Sequence, residues 1–289
     1  MIQQRHFRTP DGLELAADVS GSADAPTVIL LHGGGQTRHS WGTAMRRLVE
    51  NGYSVVNVDA RGHGDSDWSA TGDYSLTALA SDLKAIREAI SGPVALVGAS
   101  MGGMTSFYAC GLAERDFAQA LVMVDVVIRP AEEGVQRIRN FMTAHRGGFA
   151  DIGEAADAVA AYNPDRPRPK DPQGLAKNLR LRDDGRLYWH WDPRLLDVSP
   201  NPEPPSFSGA LEAVSGGVTI PTLLVRGGKS DVVDDRGVAE MVRLVPQTEV
   251  FEVPMAGHMV AGDRNDAFND GVVSFLHRHF PKDRRPTRG

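Results

Sequence analysis

Short, nearly continuous apolar runs rich in β-branched residues recur along the first half of the chain. They are Thr27-Val28-Ile29-Leu30-Leu31, Tyr53-Ser54-Val55-Val56-Asn57-Val58, Val94-Ala95-Leu96-Val97 and Ala120-Leu121-Val122-Met123-Val124. Strands covered on both faces have this character, so the runs predict a parallel sheet rather than one open to solvent. Helical segments separate them over 41–50, 76–90 and 101–113. In the second, Leu76, Leu79, Leu83, Ile86 and Ile90 recur at spacings of three or four, and Ser75 stands where an N-cap belongs. Ahead of these, segments 4–9 and 13–19 flank Pro10-Asp11-Gly12 and read as an antiparallel hairpin. Strict alternation of strand and helix predicts an α/β sheet with right-handed crossovers.

The alternation stops near Arg129 and resumes at Ile220 to Val225, followed by a helix over 238–244, a strand over 249–253 and a last helix over 265–280. The expected organisation is a core of 1–128 and 217–281, interrupted by a mostly helical cap at 129–216, with 282–289 as a disordered tail. Within the cap, Val135, Ile138, Phe141 and Met142 form one apolar helical face, and Asp151 and Asp171 are positioned as N-caps. Ten of the 18 prolines fall between Pro164 and Pro221, including Pro200, Pro202, Pro204 and Pro205, which predicts an extended connection at the cap's end.

Composition narrows the function. A chain of 289 residues, 41% hydrophobic and 24% charged, is that of an ordinary globular protein large enough to bury its core without covalent staples. The formal net charge of −6 argues against a nucleic-acid ligand, the short basic stretch at Lys282-Asp283-Arg284-Arg285 notwithstanding. No apolar run reaches the roughly 18 residues that span a bilayer, and the first residues lack a signal segment. With Cys110 as the single cysteine, a reducing, cytoplasmic compartment is expected.

The chemistry lies at strand ends. Gly98-Ala99-Ser100-Met101-Gly102 sits between a predicted strand and a predicted helix, where flanking glycines permit a sharp bend that exposes the serine hydroxyl. The same bend puts the Met101 amide at a helix N-terminus, ready to stabilise an oxyanion. His32-Gly33-Gly34-Gly35 ends another strand, and its Gly34 amide, with Gly35 next, is expected to complete the oxyanion hole. A serine needs a base and an orienting carboxylate. The order serine, acid, histidine selects Asp231, in Gly227-Gly228-Lys229-Ser230-Asp231, and His258, in Ala256-Gly257-His258. Asp125, just past another strand, is the main alternative acid; Asp234 and Asp235 are further candidates, one of these neighbouring aspartates capping the following helix. The glycine runs match neither phosphate-binding nor dinucleotide spacing, and no metal-ligand motif is present.

Together these motifs resemble the α/β-hydrolase superfamily. The similarity spans nearly the whole chain and includes Asp59-Ala60-Arg61-Gly62-His63-Gly64-Asp65-Ser66 after the fourth strand. It implies an eight-stranded, mostly parallel sheet whose second strand is antiparallel, flanked by helices, with a cap inserted after the sixth strand. Serine at position 100, where dehalogenases and epoxide hydrolases of that superfamily carry aspartate, points away from those activities. The implied function is a cofactor-free, metal-free serine hydrolase cleaving a small to medium, largely apolar ester or lactone. Perhydrolysis, carbon–carbon bond hydrolysis and a non-catalytic receptor role are the alternatives. Phe141, Trp189 and Trp191 in the cap are expected to bind substrate, with core packing as an equal alternative for their aromatic bulk. Trp41, just inside the first helix, either lines the pocket mouth or staples that helix.

Overall fold

The computed structural model describes residues 1–113, 117–163, 168, 170–197, 207–260 and 265–282. In chain order, strands β1 (Gln3–Arg8) and β2 (Glu14–Ser20) form the expected hairpin, with Gly12 at φ +93° in its turn. Then follow β3 (Thr27–Leu31), α1 (Gly42–Glu50), β4 (Ser54–Val58), α2 (Leu76–Glu88), β5 (Val94–Ala99), α3 (Met101–Leu112) and β6 (Ala120–Val124). An inserted segment carries α4 (Glu132–Ala144), α5 (Ile152–Tyr162) and the hairpin β7 (Leu179–Leu181) and β8 (Leu187–Trp189). After α6 (Phe207–Val214) the alternation resumes with β9 (Thr222–Gly227), α7 (Asp235–Leu244), β10 (Thr248–Val253) and α8 (Asn265–His279).

Eight strands make one sheet in the order β1-β2-β4-β3-β5-β6-β9-β10. β2 runs antiparallel to both neighbours and every other pairing is parallel. The period-two projection of a strand explains why its runs are apolar throughout. Ile29, Leu96, Leu121, Met123 and Leu224 pack on the face covered by α2, α3, α6 and α7, whereas Val28, Leu30, Val97, Val122 and Val225 pack on the face covered by α1 and α8. On α2 the three-four spacing buries Leu76, Leu79, Leu83 and Ile86, and Ser75 accepts the Ala78 amide as its N-cap. Asp151 and Asp171 likewise cap α5 and the 3-10 turn beginning at Pro172.

Two expectations change. Residues 207–216, read as part of the cap, pack on the core: Ala210 and Leu211 join the α3 face, and a Cβ at Gly111 would lie 2.5 Å from the Val214 carbonyl oxygen. Trp41 does not line a pocket mouth. It is 1% exposed, with its ring 5.9 Å from that of Phe268 between α1 and α8, because its position at the start of the helix turns it under the sheet rather than over its edge. The proline-rich stretch 198–206 and the tail from 283 lie outside the described residues. Among the described residues, no helix is long and apolar enough to cross a membrane.

Candidate active site

Ser100 forms the junction of β5 and α3, with φ 46° and ψ −114°. A side chain rarely adopts such a backbone, and the surrounding glycines make it possible by letting strand and helix close on each other. A Cβ at Gly98 would sit 2.3 Å from the Gly102 carbonyl oxygen, and one at Gly102 would sit 2.4 Å from that of Leu31. The Ser100 amide donates to Val124 O (3.1 Å) and its carbonyl accepts the Met104 amide (2.9 Å), which fixes the turn from both sides. Cys110, the only thiol, is buried inside α3, and burial pushes it up to about 12, so it is no competing nucleophile.

His258 follows β10 and turns its Nδ1 to Asp125 Oδ2 at 2.7 Å. The expected partner Asp231 is not there. It lies 3.0 Å from the Arg137 guanidinium of α4, on a side chain 32% exposed. Strand order does not separate the two carboxylates, since β6 borders β5, which leads to Ser100, and β9 borders β10, which leads to His258; the donors around each carboxylate do. Asp125, fully buried at φ 49° directly after β6, also accepts the Gly227 amide on Oδ1 (2.8 Å) and the Ser230 hydroxyl on Oδ2 (2.5 Å). Three donors satisfy a carboxylate that burial would otherwise penalise heavily. Asp234 caps α7 by accepting the Gly237 amide. Ser230 carried no signal of its own in the sequence, since serine beside an aspartate in a loop is commonplace.

The loop after β3 leaves the Gly34 amide unused. Gly33 donates to Gln36 Oε1 (3.1 Å) and Gly35 to His63 Nε2 (3.1 Å), whereas the Gly34 and Met101 amides donate to no acceptor among the described residues. A Cβ at Gly33 would lie 3.4 Å from Ser100 Cβ, and one at Gly34 would lie 4.0 Å from Met101 Sδ, so this loop stands beside the serine. Gln36 also donates to Met259 Sδ (3.0 Å), linking the loop to the residue after His258. The Ser100 hydroxyl has no hydrogen-bond partner among the described residues. Hydrogen bonds of this type commonly tighten only around a substrate.

Three buried histidines frame the loop. His32 accepts the Ala60 amide and donates to Gly33 O; His63 accepts the Gly35 amide; His190, from the inserted segment, accepts the Gly64 amide at 2.7 Å. Burial lowers all three below the usual imidazole range, His190 to about 4, so each stays neutral and keeps its acceptor nitrogen. They organise backbone rather than move protons. Asp59 does comparable work, accepting the amides of Arg38 and Asp65 and pairing with the Arg38 guanidinium.

Of the aromatic side chains expected to bind substrate, Trp191 reaches the loop after β3. A Cβ at Gly35 would lie 3.3 Å from both Trp191 Cζ3 and Met142 Cε. Trp189 stacks on Trp191 (centroids 5.0 Å apart, 11° between planes), and Phe141 packs on Trp189 and Tyr162, within the inserted segment's own apolar cluster. Sequence reading missed Met142 as a wall residue; its place on the same helical face as Phe141 was the available signal. Among the described residues, no group of histidine, cysteine or carboxylate side chains is arranged to hold a metal ion.

This architecture and strand-edge constellation define a class. Residues 28–271 match the alpha/beta hydrolase family, and the chain belongs to it. It is 32% identical over 264 residues to Esterase Rv0045c of Mycobacterium tuberculosis, covering 87% of this chain and 83% of that one. It is 29% identical to the mouse sn-1-specific diacylglycerol lipase ABHD11 over 89% of this chain and 83% of that protein. A crystal structure of the mycobacterial esterase superposes with a TM-score of 0.75 at 30% identity, covering 96% of this chain and 91% of that one. E-2-(acetamidomethylene)succinate hydrolase superposes with a TM-score of 0.82 at 24% identity, over 96% and 99% of the two chains, a likeness of fold.

Proposed function

We propose that the protein is a serine hydrolase of carboxylic esters, acting through an acyl-enzyme with Ser100 as nucleophile, His258 as general base and Asp125 as the orienting acid. The observation that carries this reading is where backbone strain is stored. Among the described residues, the non-glycine positions with positive φ are Ser100, Asp125 and Met255 (46°, 49° and 64°), one in each of the three loops that carry the serine, the acid and the histidine. Strain of this kind persists where surrounding structure holds it, and it gathers at working sites.

In the reaction, His258 Nε2 takes the Ser100 proton as Oγ attacks the ester carbonyl carbon, and Asp125 holds Nδ1 and stabilises the imidazolium. The Gly34 and Met101 amides receive the oxyanion. Collapse of the tetrahedral adduct expels the alcohol with the proton from His258, and water, deprotonated by the same imidazole, releases the acid. Trp191 and Met142 beside Gly35 support an apolar acyl group, and similarity to proteins named esterase and lipase supports the ester bond.

Turnover of p-nitrophenyl esters of graded acyl length, with lactones alongside, tests the reading. The wild type is expected to hydrolyse at least one series and to be labelled by a fluorophosphonate. Ser100→Ala is expected to lose at least about 10³-fold in kcat and all labelling while remaining folded. Equal turnover by the two proteins would refute the mechanism.

A further inference from the structure

Ser230 occupies the loop where an acid was expected, and it delivers a hydroxyl to the acid that is used. Its Oγ accepts the Val232 and Val233 amides, each at 3.1 Å. With both acceptor sites of the hydroxyl taken, its proton is directed to the remaining neighbour, Asp125 Oδ2 at 2.5 Å. That is the same oxygen that accepts His258 Nδ1. A continuous chain therefore runs from two backbone amides through Ser230 and Asp125 to the imidazole.

We infer that Ser230 is a positioning residue of the catalytic group, its hydroxyl fixing Asp125 Oδ2 and limiting how strongly that oxygen holds the histidine. The inference rests on the Ser100–His258–Asp125 reading. Two consequences follow from charge and geometry. Removing the hydroxyl loosens the carboxylate, which lowers turnover. It also leaves His258 as the sole side-chain donor to Oδ2, so the imidazolium is held more tightly and persists to higher pH. The other charged groups nearby are already engaged or turned outward. Asp231 pairs with Arg137 of α4, Arg226 of β9 with Asp235 and Glu252, and Lys229 is exposed.

The test uses the full chain and its best p-nitrophenyl ester. For Ser230→Ala, kcat is expected to fall about tenfold with KM within about twofold, the scale of one hydrogen bond to a charged group. The acid-side limb of kcat/KM is expected to move to higher pH, and Ser230→Thr to restore both. A serine that merely stabilised the loop would not move that limb. Proton NMR of the resting protein supplies a reading without turnover: the far-downfield His258 Nδ1 proton is expected to move further downfield in Ser230→Ala. An unchanged limb together with an unchanged resonance overturns the inference. Should Ser230→Ala fail to fold, Ser230→Cys, a weaker donor on the same atoms, is expected to shift both in the same direction by less, and no shift there overturns it equally. Failure of Ser100→Ala to abolish turnover would instead remove the hydrolase reading, a result separable from the resonance of His258.

Discussion

The loops after β6 and after β9 end neighbouring strands, and each offers an aspartate at the same edge of the sheet. Asp125 is sealed from solvent and accepts a backbone amide, a hydroxyl and an imidazole. Asp231 stands in partial solvent and meets one guanidinium. An acid that orients a histidine needs fixed donors and exclusion of water more than it needs a particular place in the chain, and the two loops separate on those terms.

The largest way to break the contrast is Asp125→Asn. It keeps the shape but presents an amide to His258 and favours the wrong tautomer, so kcat is expected to fall about 10⁴-fold in steady-state ester hydrolysis. Should Asp231→Asn, rather than Asp125→Asn, produce that loss, the assignment of the acid is reversed. A smaller effect compares the two attachments of the inserted segment. His190, buried and lowered to about 4, binds fewer protons folded than unfolded between pH 4 and 6.5. Its contribution to stability is therefore full above about pH 6.5 and is lost as pH falls towards 4. Thermal melts of His190→Gln across that window are expected to flatten the acid loss, and a wild type with pH-independent melting would contradict the neutral-histidine frame. The smallest effect is at the exposed attachment. Arg137→Ala and Asp231→Asn are each expected to cost less than about 1 kcal/mol and to leave kcat within a few-fold, read by chemical denaturation and the same ester assay.

Much of the sheet was legible because β5 and β6 lack polar side chains and β3 has one only at Thr27, a pattern that two-sided burial explains. The Ser100 elbow and the His258 loop were legible because glycine spacing and strand ends mark them locally. The choice between Asp125 and Asp231 was not, since it depends on what donors gather around a buried carboxylate. Trp41 stayed open for a related reason: a helix start faces either core or cleft, and only Phe268, more than 200 residues later, decides for the core. The β7–β8 hairpin escaped notice because its strands are three residues long and Arg180 interrupts the first.

The core is fastened together on either side of the inserted segment. Ala131 donates to Val232 O just as the chain departs, and downstream, beyond α6, the Gly217 Cα approaches Gly111 so closely that a Cβ there would lie 2.1 Å from the Gly111 carbonyl oxygen. Gly111 belongs to α3, the helix whose first turn follows Ser100. The stretches of core that flank the inserted segment are thus held to the loop after β9 and to α3. On the proposed ester-hydrolase reading, an acyl group entering beside Gly35 meets Met142 and Trp191 first, so the reach of those two side chains sets the size it can take.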